Sequence, residues 1–211
     1  MSCSSHSMAP DNEMRYARVQ TTRPRQSDKV DDAVLVSHIK QGDHLAMETL
    51  YLRYVHKVTG IAAKLLRHSA DIEDVVQDTF IAAFRDMAQL NEPQFVERWL
   101  VRIAIHRVHR RFRRRTLKRA LGLDRSIDDE RLVDQVGVAA PQEARAEIAL
   151  LDSALNDMGM KERTCFVLRY LEGYRLEEVA RLSGCSLATV KRRIATAKRV
   201  VDRHFEEEND G

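Results

Sequence analysis

Residues 176–194 read Leu176-Glu177-Glu178-Val179-Ala180-Arg181-Leu182-Ser183-Gly184-Cys185-Ser186-Leu187-Ala188-Thr189-Val190-Lys191-Arg192-Arg193-Ile194. Val179, Ala180 and Leu182 are spaced to face inward on one helix, and Val190 and Ile194 anchor a second. Gly184 stands where a tight turn demands positive φ, which costs glycine little. Ser186 is placed to cap the second helix, because its hydroxyl can accept from a backbone N–H left over at the helix start. This is the helix-turn-helix arrangement, whose second helix enters a DNA major groove. Ala188, Lys191, Arg192 and Ala195 point outward from that helix, with Lys198 and Arg199 further along. A plain helical hairpin with a solvated basic face would share the apolar spacing alone. Here the turn, the cap and the cations coincide with it.

Upstream of this unit, Ile148, Leu151, Leu155 and Met158, then Phe166, Leu168 and Leu171 before Gly173, continue a helical period. From 119 to about 145 the character changes: Asp128-Asp129-Glu130 is acidic, and Gly137, Ala139, Ala140 and Pro141 break any period. A segment this long without structure is a linker rather than a loop inside one domain. Before it lies a second helical unit. Asp31 or Asp32 caps a short helix that buries Val34, Leu35 and Ile39, and Gly42 ends it. A longer helix carries Met47, Leu50, Tyr54, Val58, Ile61 and Leu65 at intervals of three and four. After His68-Ser69, a third buries Val75, Val76, Phe80 and Phe84. A loop from Asp86 to Gln94 leads through Asn91-Glu92-Pro93 into a fourth, with Phe95, Trp99 and Ile103 and Leu100, Ala104 and Val108 at i, i+4 spacing.

No strand pattern occurs, and 8 Gly with 4 Pro in 211 residues are few for a protein of short strands and turns. The fold class read from the chain is all-α: two small helical domains joined by a flexible linker. The expected division is a disordered arm over 1–29, a first domain over 30–118, a linker over 119–145, a helix-turn-helix domain over 146–205 and an acidic tail over 206–211. Cys3, Cys165 and Cys185 form no CxxC pair, which argues against a disulfide framework or a structural zinc site and leaves Cys165 and Cys185 as reduced core residues. The absence of a membrane-length apolar run and of a signal peptide predicts a cytoplasmic protein.

The net charge of +3 decides little as a sum, but charge is segregated along the chain. Between Glu97 and Asp124 there is no acidic residue, while Arg or Lys recurs nearly every turn through Arg110-Arg111-Phe112-Arg113-Arg114-Arg115. Such a run repels itself, and a polyanion relieves the repulsion while releasing counterions. Trp99 and Phe112 lie among these cations, where aromatics can stack on unpaired bases, although Trp99 reads equally well as core. In Asp71-Ile72-Glu73-Asp74-Val75-Val76-Gln77-Asp78-Thr79-Phe80, residues Asp74, Gln77 and Asp78 share the helix face opposite Val75 and Val76. No histidine or further acid joins them at metal-ligand spacing, so by composition they read as a solvated face.

In order and spacing, residues 31–204 resemble the extracytoplasmic-function sigma factors, the group-four branch of the main sigma family of bacterial RNA polymerase. Asp74-Val75-Val76-Gln77-Asp78 resembles that family's region-two motif, which docks on the clamp helices of the largest polymerase subunit. The resemblance implies that Asp74, Gln77, Asp78 and Phe84 are polymerase contacts. The stretch from Phe95 to Ala104 resembles the strand-melting segment, and its basic continuation the reader of the −10 element. It thereby assigns Arg98, Trp99, Arg102, His106, Arg110, Arg113 and Arg114 to promoter melting and recognition, with the 86–94 loop capturing a flipped base. The helix-turn-helix resembles region four. Ser186, Leu187, Ala188, Thr189, Lys191, Arg192 and Lys198 then fall on the −35 element. The family's partners would be core polymerase (clamp helices and flap), promoter DNA and an anti-sigma factor, with the linker threading toward the RNA exit path. The chain departs from the pattern at His106, where the family usually has Asn, at Arg110, where it often has Asp, and at Met160, where Pro is common.

The rival reading is a stand-alone helix-turn-helix regulator, which needs neither the Asp74/Gln77/Asp78 face nor a melting helix. An enzyme is disfavoured: there is no P-loop, no nucleophile elbow and no metal-spaced histidine cluster. His106 and His109 sit in an arginine-rich helix that repels metal cations. No cofactor is expected.

Overall fold

The computed structural model describes residues 31–122 and 142–209. All regular structure among them is helical, in two groups. The first comprises α1 (Asp32–Lys40), α2 (His44–Leu65), α3 (Ser69–Asp86) and α4 (Val96–Ala120), with two 3-10 turns, Met87–Gln89 and Pro93–Phe95, between α3 and α4. The second comprises α5 (Gln142–Asp157), α6 (Met160–Phe166), a π turn (Val167–Leu171), α7 (Leu176–Ser183) and α8 (Leu187–Asn209). The expected arm over 1–29, Cys3 and most of the expected linker lie outside the described residues. At its edges, α4 runs to Ala120, and helix resumes at Gln142.

The first group is a bundle in which α2, α3 and α4 pack on one another and α1 closes the end. Asp31 caps α1, its carboxylate accepting from Ala33 N at 3.1 Å. Asp32 lies inside the helix, and its carboxylate accepts from Tyr54 Oη and Arg53 Nη1 of α2. Of the two acids the sequence offered for the cap, Asp31 takes it, while its neighbour Asp32 ties α1 to α2. Val34 also differs from expectation, at 44% exposed, because Leu35, Val36 and Ile39 take the inner face of this short helix. The 86–94 segment is held rather than loose. Met87 and Leu90 are buried, and Lys40 Nζ donates to Leu90 O at 2.8 Å.

Helix α4 is the core's central strut: Val96, Leu100, Val101, Ala104, Ile105 and Val108 are buried. Leu100, Ala104 and Val108 are buried as their spacing suggested, whereas Trp99 and Ile103 are only half-buried and Phe95 is 39% exposed. The helix is covered on more than one side. It packs on α2 and α3, and through Arg98 and His109 it also meets the second group.

The second group forms round Phe166, Val167 and Leu168, with Val179, Leu182, Val190, Ile194, Ala197 and Val201 closing on them. Cys165 is buried and Cys185 half-buried, both as free thiols. Burial pushes the Cys165 thiol above its ordinary value, which suits a core residue better than a reactive one.

The deepest charged contact of the first group lies between α3 and α4. Asp71 is 7% exposed, and its carboxylate accepts from Arg111 Nε at 2.6 Å and Arg115 Nη1 at 2.8 Å. Burial alone would raise the Asp71 carboxyl, but hydrogen bonds from the two guanidiniums outweigh it and hold the group below its usual value. A depressed native value means stability that is present at neutral pH and lost as pH falls through that value. Asp71→Asn therefore lowers the unfolding free energy at pH 7 by about 2 kcal/mol, the arginines being partly solvated. Urea titrations should show that difference shrinking below about pH 4, as the parent carboxyl protonates.

Candidate nucleic-acid interface

The arginines of α4 divide by face. Arg111 and Arg115, one turn apart, turn toward α3 and neutralise Asp71, and Arg111 also pairs with Asp74 at 2.6 Å. Arg102, His106, Arg110, Arg113 and Arg114 are exposed. A continuous basic sequence thus folds into one side that holds the bundle and another that offers cations to solvent. Trp99 packs half-buried against the core, so its ring is a partial platform rather than a free one. Arg98 lies 4.9 Å above the Phe95 ring, and its guanidinium pairs with Glu178 of α7 at 2.6 Å. Its expected DNA-facing role therefore competes with an intramolecular partner.

His109 differs from its neighbour His106. Its Nε2 lies 2.9 Å from Thr164 Oγ1 of α6, and burial, reinforced by His106, Lys161, Arg113 and Arg193, lowers its pKa to about 4. It is neutral at physiological pH and belongs to a packing contact. Among the described residues no cluster of His, Cys, Asp and Glu could hold a metal, and no helix is long and apolar enough to cross a membrane.

On α3, Asp74, Gln77 and Asp78 are exposed, opposite the buried Val75, Val76 and Thr79. Ile81, 56% exposed, continues the stripe one turn on, and Phe84 is half-buried beside Phe80. The Asp74 end borders α4: Asp74, Val75 and Asp78 line a shallow cleft with Arg107, Arg110, Arg111 and Arg114. The acidic face and the exposed arginines are adjacent surfaces of one small bundle.

The helix-turn-helix is built as its sequence required. Gly184 has φ 61° and ψ 40°, the left-handed conformation that lets Cys185 N reach Ala180 O at 3.1 Å. Ser186 Oγ accepts from Thr189 N at 3.2 Å, and Val190 N donates to Ser186 O at 3.0 Å, so the cap holds. At the start of α7, Arg175 N donates to the Glu178 carboxylate at 2.9 Å. Val190 and Ile194 are buried, which turns Ala188, Lys191 and Arg192 to solvent, with Leu187 and Thr189 at the rim. Arg193 bends inward, its Nη1 donating to Cys185 Sγ at 3.3 Å. Lys198 rests 5.3 Å above the Tyr170 ring, so it stands apart from the outward cluster of the first turns.

Sequence reasoning passed over Asp71, Glu172, Tyr174 and Glu178. Only Asp71 carried a signal, as the acid one turn before Asp74. The others act across the two groups, and only Glu178 also has a local role, at the start of α7.

Comparison with known proteins agrees with this layout. The model of Sigma-70 region 2 matches residues 50–117, and that of Sigma-70, region 4 matches residues 148–200. The RNA polymerase sigma-H factor of Pseudomonas aeruginosa is 28% identical over 179 residues, 82% of this chain and 92% of the relative. The ECF RNA polymerase sigma-E factor of Escherichia coli K12 is 28% identical over 191 residues, covering 83% and 95%. Among solved structures, CnrH in complex with the cytosolic domain of CnrY aligns with a TM-score of 0.60 at 23% identity, over 84% of this chain and 99% of that one. The sigma factor RpoE from Bartonella quintana, solved with the anti-sigma factor NepR, aligns with a TM-score of 0.60 at 21% identity, over 75% and 96%. These structures share the fold. With the two region models matched in order, each on its own helical group, the chain belongs to the sigma-70 family, in its extracytoplasmic-function branch.

Proposed function

We propose that the protein is an alternative sigma factor, which binds core RNA polymerase and directs it to promoters by melting and reading a −10 element and reading a −35 element. The observation that carries this reading is the first bundle's pair of adjoining faces. One is acidic, at Asp74, Gln77 and Asp78, and the other is a row of exposed basic side chains, Arg102, Arg110, Arg113 and Arg114, with His106 among them. A stand-alone regulator would use the helix-turn-helix and have no work for either. The residues from 30 to 118 form the polymerase-binding and −10 domain, and those from 146 to 205 the −35 domain, joined through the acidic stretch between them.

The mechanism follows from the parts. Arginine contacts to phosphates position the protein and make binding salt-sensitive, while a few side chains on base edges specify sequence. Opening the duplex costs a few kcal/mol per unstacked base, which stacking and pocket contacts offset. A bundle this small supplies only part of that, and the polymerase clamp supplies the remainder. The protein does no bond-making of its own and needs no cofactor. It works in the cytoplasm beside the polymerase, and an anti-sigma factor of the kind solved with its structural neighbours is its expected regulator.

Asp74→Arg abolishes capture of core polymerase while the domain stays folded. Asp74 is half-exposed and its pair with Arg111 lies at the surface, so the change costs about 1 kcal/mol of stability. Reversing a charge at a docked polar contact costs about 2–5 kcal/mol of binding. Undiminished pull-down by the folded variant would remove Asp74 from the interface. Gel shifts on promoter duplex without polymerase complete the test: tight specific binding by the protein alone would favour the regulator reading.

Arg192 projects from the solvent face of α8, next to small Ala188, and makes no ion pair among the described residues. A bidentate bond from it to guanine would contribute roughly 1–3 kcal/mol of discrimination. Arg192→Ala should lower transcription and relax preference at one or two −35 positions. Arg113→Ala should weaken all promoters evenly and flatten the salt dependence. Transcription from a set of −35 point mutants separates the two, and a uniform loss with Arg192→Ala would make it a phosphate contact.

A further inference from the structure

The two helical groups do not merely share a chain. The second sits on α2 and α4 of the first, and the contact is specific. At its centre is Glu172, whose side chain is only 6% exposed and whose carboxylate takes Lys57 Nζ at 2.7 Å and Lys64 Nζ at 2.7 Å. Those lysines lie two turns apart on one face of α2. Beside them Tyr174 Oη donates to Glu97 Oε1 at 3.1 Å, and the Lys57 ammonium stands 5.4 Å above the Tyr174 ring. Arg98 of α4 pairs with Glu178 of α7 at 2.6 Å. Further along, buried Arg163 donates through Nη1 to Leu65 O at 3.2 Å, and Arg67 Nε donates to Asn156 Oδ1 at 2.7 Å. Burial tends to raise the Glu172 carboxyl, yet Lys64 and Lys57 together hold it below its ordinary value.

This arrangement is incompatible with promoter binding as read above. Elements centred on −35 and −10 are about 25 base pairs apart, which is about 85 Å of duplex at 3.4 Å per base pair. A 2.6 Å pair joins the melting helix to the first helix of the helix-turn-helix, so the two readers cannot straddle that span while the contact holds. Arg98, one of the cations assigned to melting, is meanwhile neutralised by a carboxylate where a phosphate would otherwise lie.

We propose that this closed form is a self-inhibited resting state, in which the α2–α4 face of the polymerase-binding domain is a docking surface occupied by the chain's own helix-turn-helix domain and locked by Glu172 on Lys57 and Lys64. Polymerase and promoter together take only the open form. Their apparent affinity is therefore reduced by the fraction of open molecules. The inference rests on the sigma-factor reading for its consequence, while the lock itself is a property of the free protein.

The test uses the full chain with two readouts, the radius of gyration in solution by X-ray scattering and run-off transcription with core polymerase. Glu172→Gln keeps the shape of the side chain and removes its charge, and Lys57→Met/Lys64→Met removes the other half. Both should expand the free protein and lower the concentration giving half-maximal transcription by about 5–10-fold, as the open fraction rises. Lys57→Glu/Lys64→Glu should behave likewise, and adding Glu172→Lys to it should restore compactness and the parent concentration dependence. An unchanged radius in all the variants would overturn the lock. An expanded radius with unchanged half-maximal concentration would overturn its inhibitory role. If the parent and every variant alike failed to support transcription, the sigma-factor reading would fall, and with it the inhibitory consequence, while the scattering would still decide the lock.

Discussion

Asp71 is the contact on which the first bundle depends. A helix with as many like charges as α4 resists being laid against a core, because each arginine turned inward must give up water and face its neighbours. One buried carboxylate on α3 resolves this by accepting from Arg111 and Arg115 together, spaced one turn apart so that both guanidiniums reach it. With that side of the helix neutralised, Leu100, Ala104 and Val108 can pack. The surplus positive charge is confined to the faces carrying Arg102, Arg110, Arg113 and Arg114. Stability and nucleic-acid affinity are thus drawn from the same residue type, separated only by helical position.

The same partition organises the whole chain. Carboxylates sit at three places where a basic side chain is used structurally: Asp71 under α4, Glu172 between two lysines of α2, Glu178 on Arg98. Each of these acids is largely buried, and each would be a poor residue to bury alone. Among the described residues, Arg102, Arg110, Arg113 and Arg114 have no such partners on the side where a polyanion would approach. His109 is the counter-example that proves useful, since it lies in the basic helix yet is kept neutral by burial against Thr164.

How much of this could be read from the sequence follows from the range of each interaction. The helix-turn-helix was fully legible: Gly184, Ser186, Val190 and Ile194 act within a few residues of one another, and each carries its own conformational reason. The outward face of α3 was legible for the same cause. The buried face of α4 was legible at Leu100, Ala104 and Val108, whereas Trp99 and Ile103 are half-buried and Val101 and Ile105, which the spacing did not single out, are buried too. The three acids were not legible as a set. Glu172 meets Lys64 across 108 positions, and nothing local distinguishes it from a solvated glutamate. The two-domain reading was sound, but a tether says nothing about whether its ends attract.

The π turn at Val167–Leu171 shows how narrow the geometric margin is. There Glu172 N bonds Val167 O at 2.9 Å, five residues back rather than four, and Gly173 at φ 75° then reverses the chain. An extra residue accommodated in a turn advances everything after it by about 100° in phase. Removing it would swing Glu172 and Tyr174 away from α2 while leaving the spacing of α7, Gly184 and α8 untouched. Insertion or deletion at this point is therefore a different kind of change from substitution. It acts at once on the junction between the two halves and on the core of the second, because Val167 and Leu168 of the same turn are fully buried there.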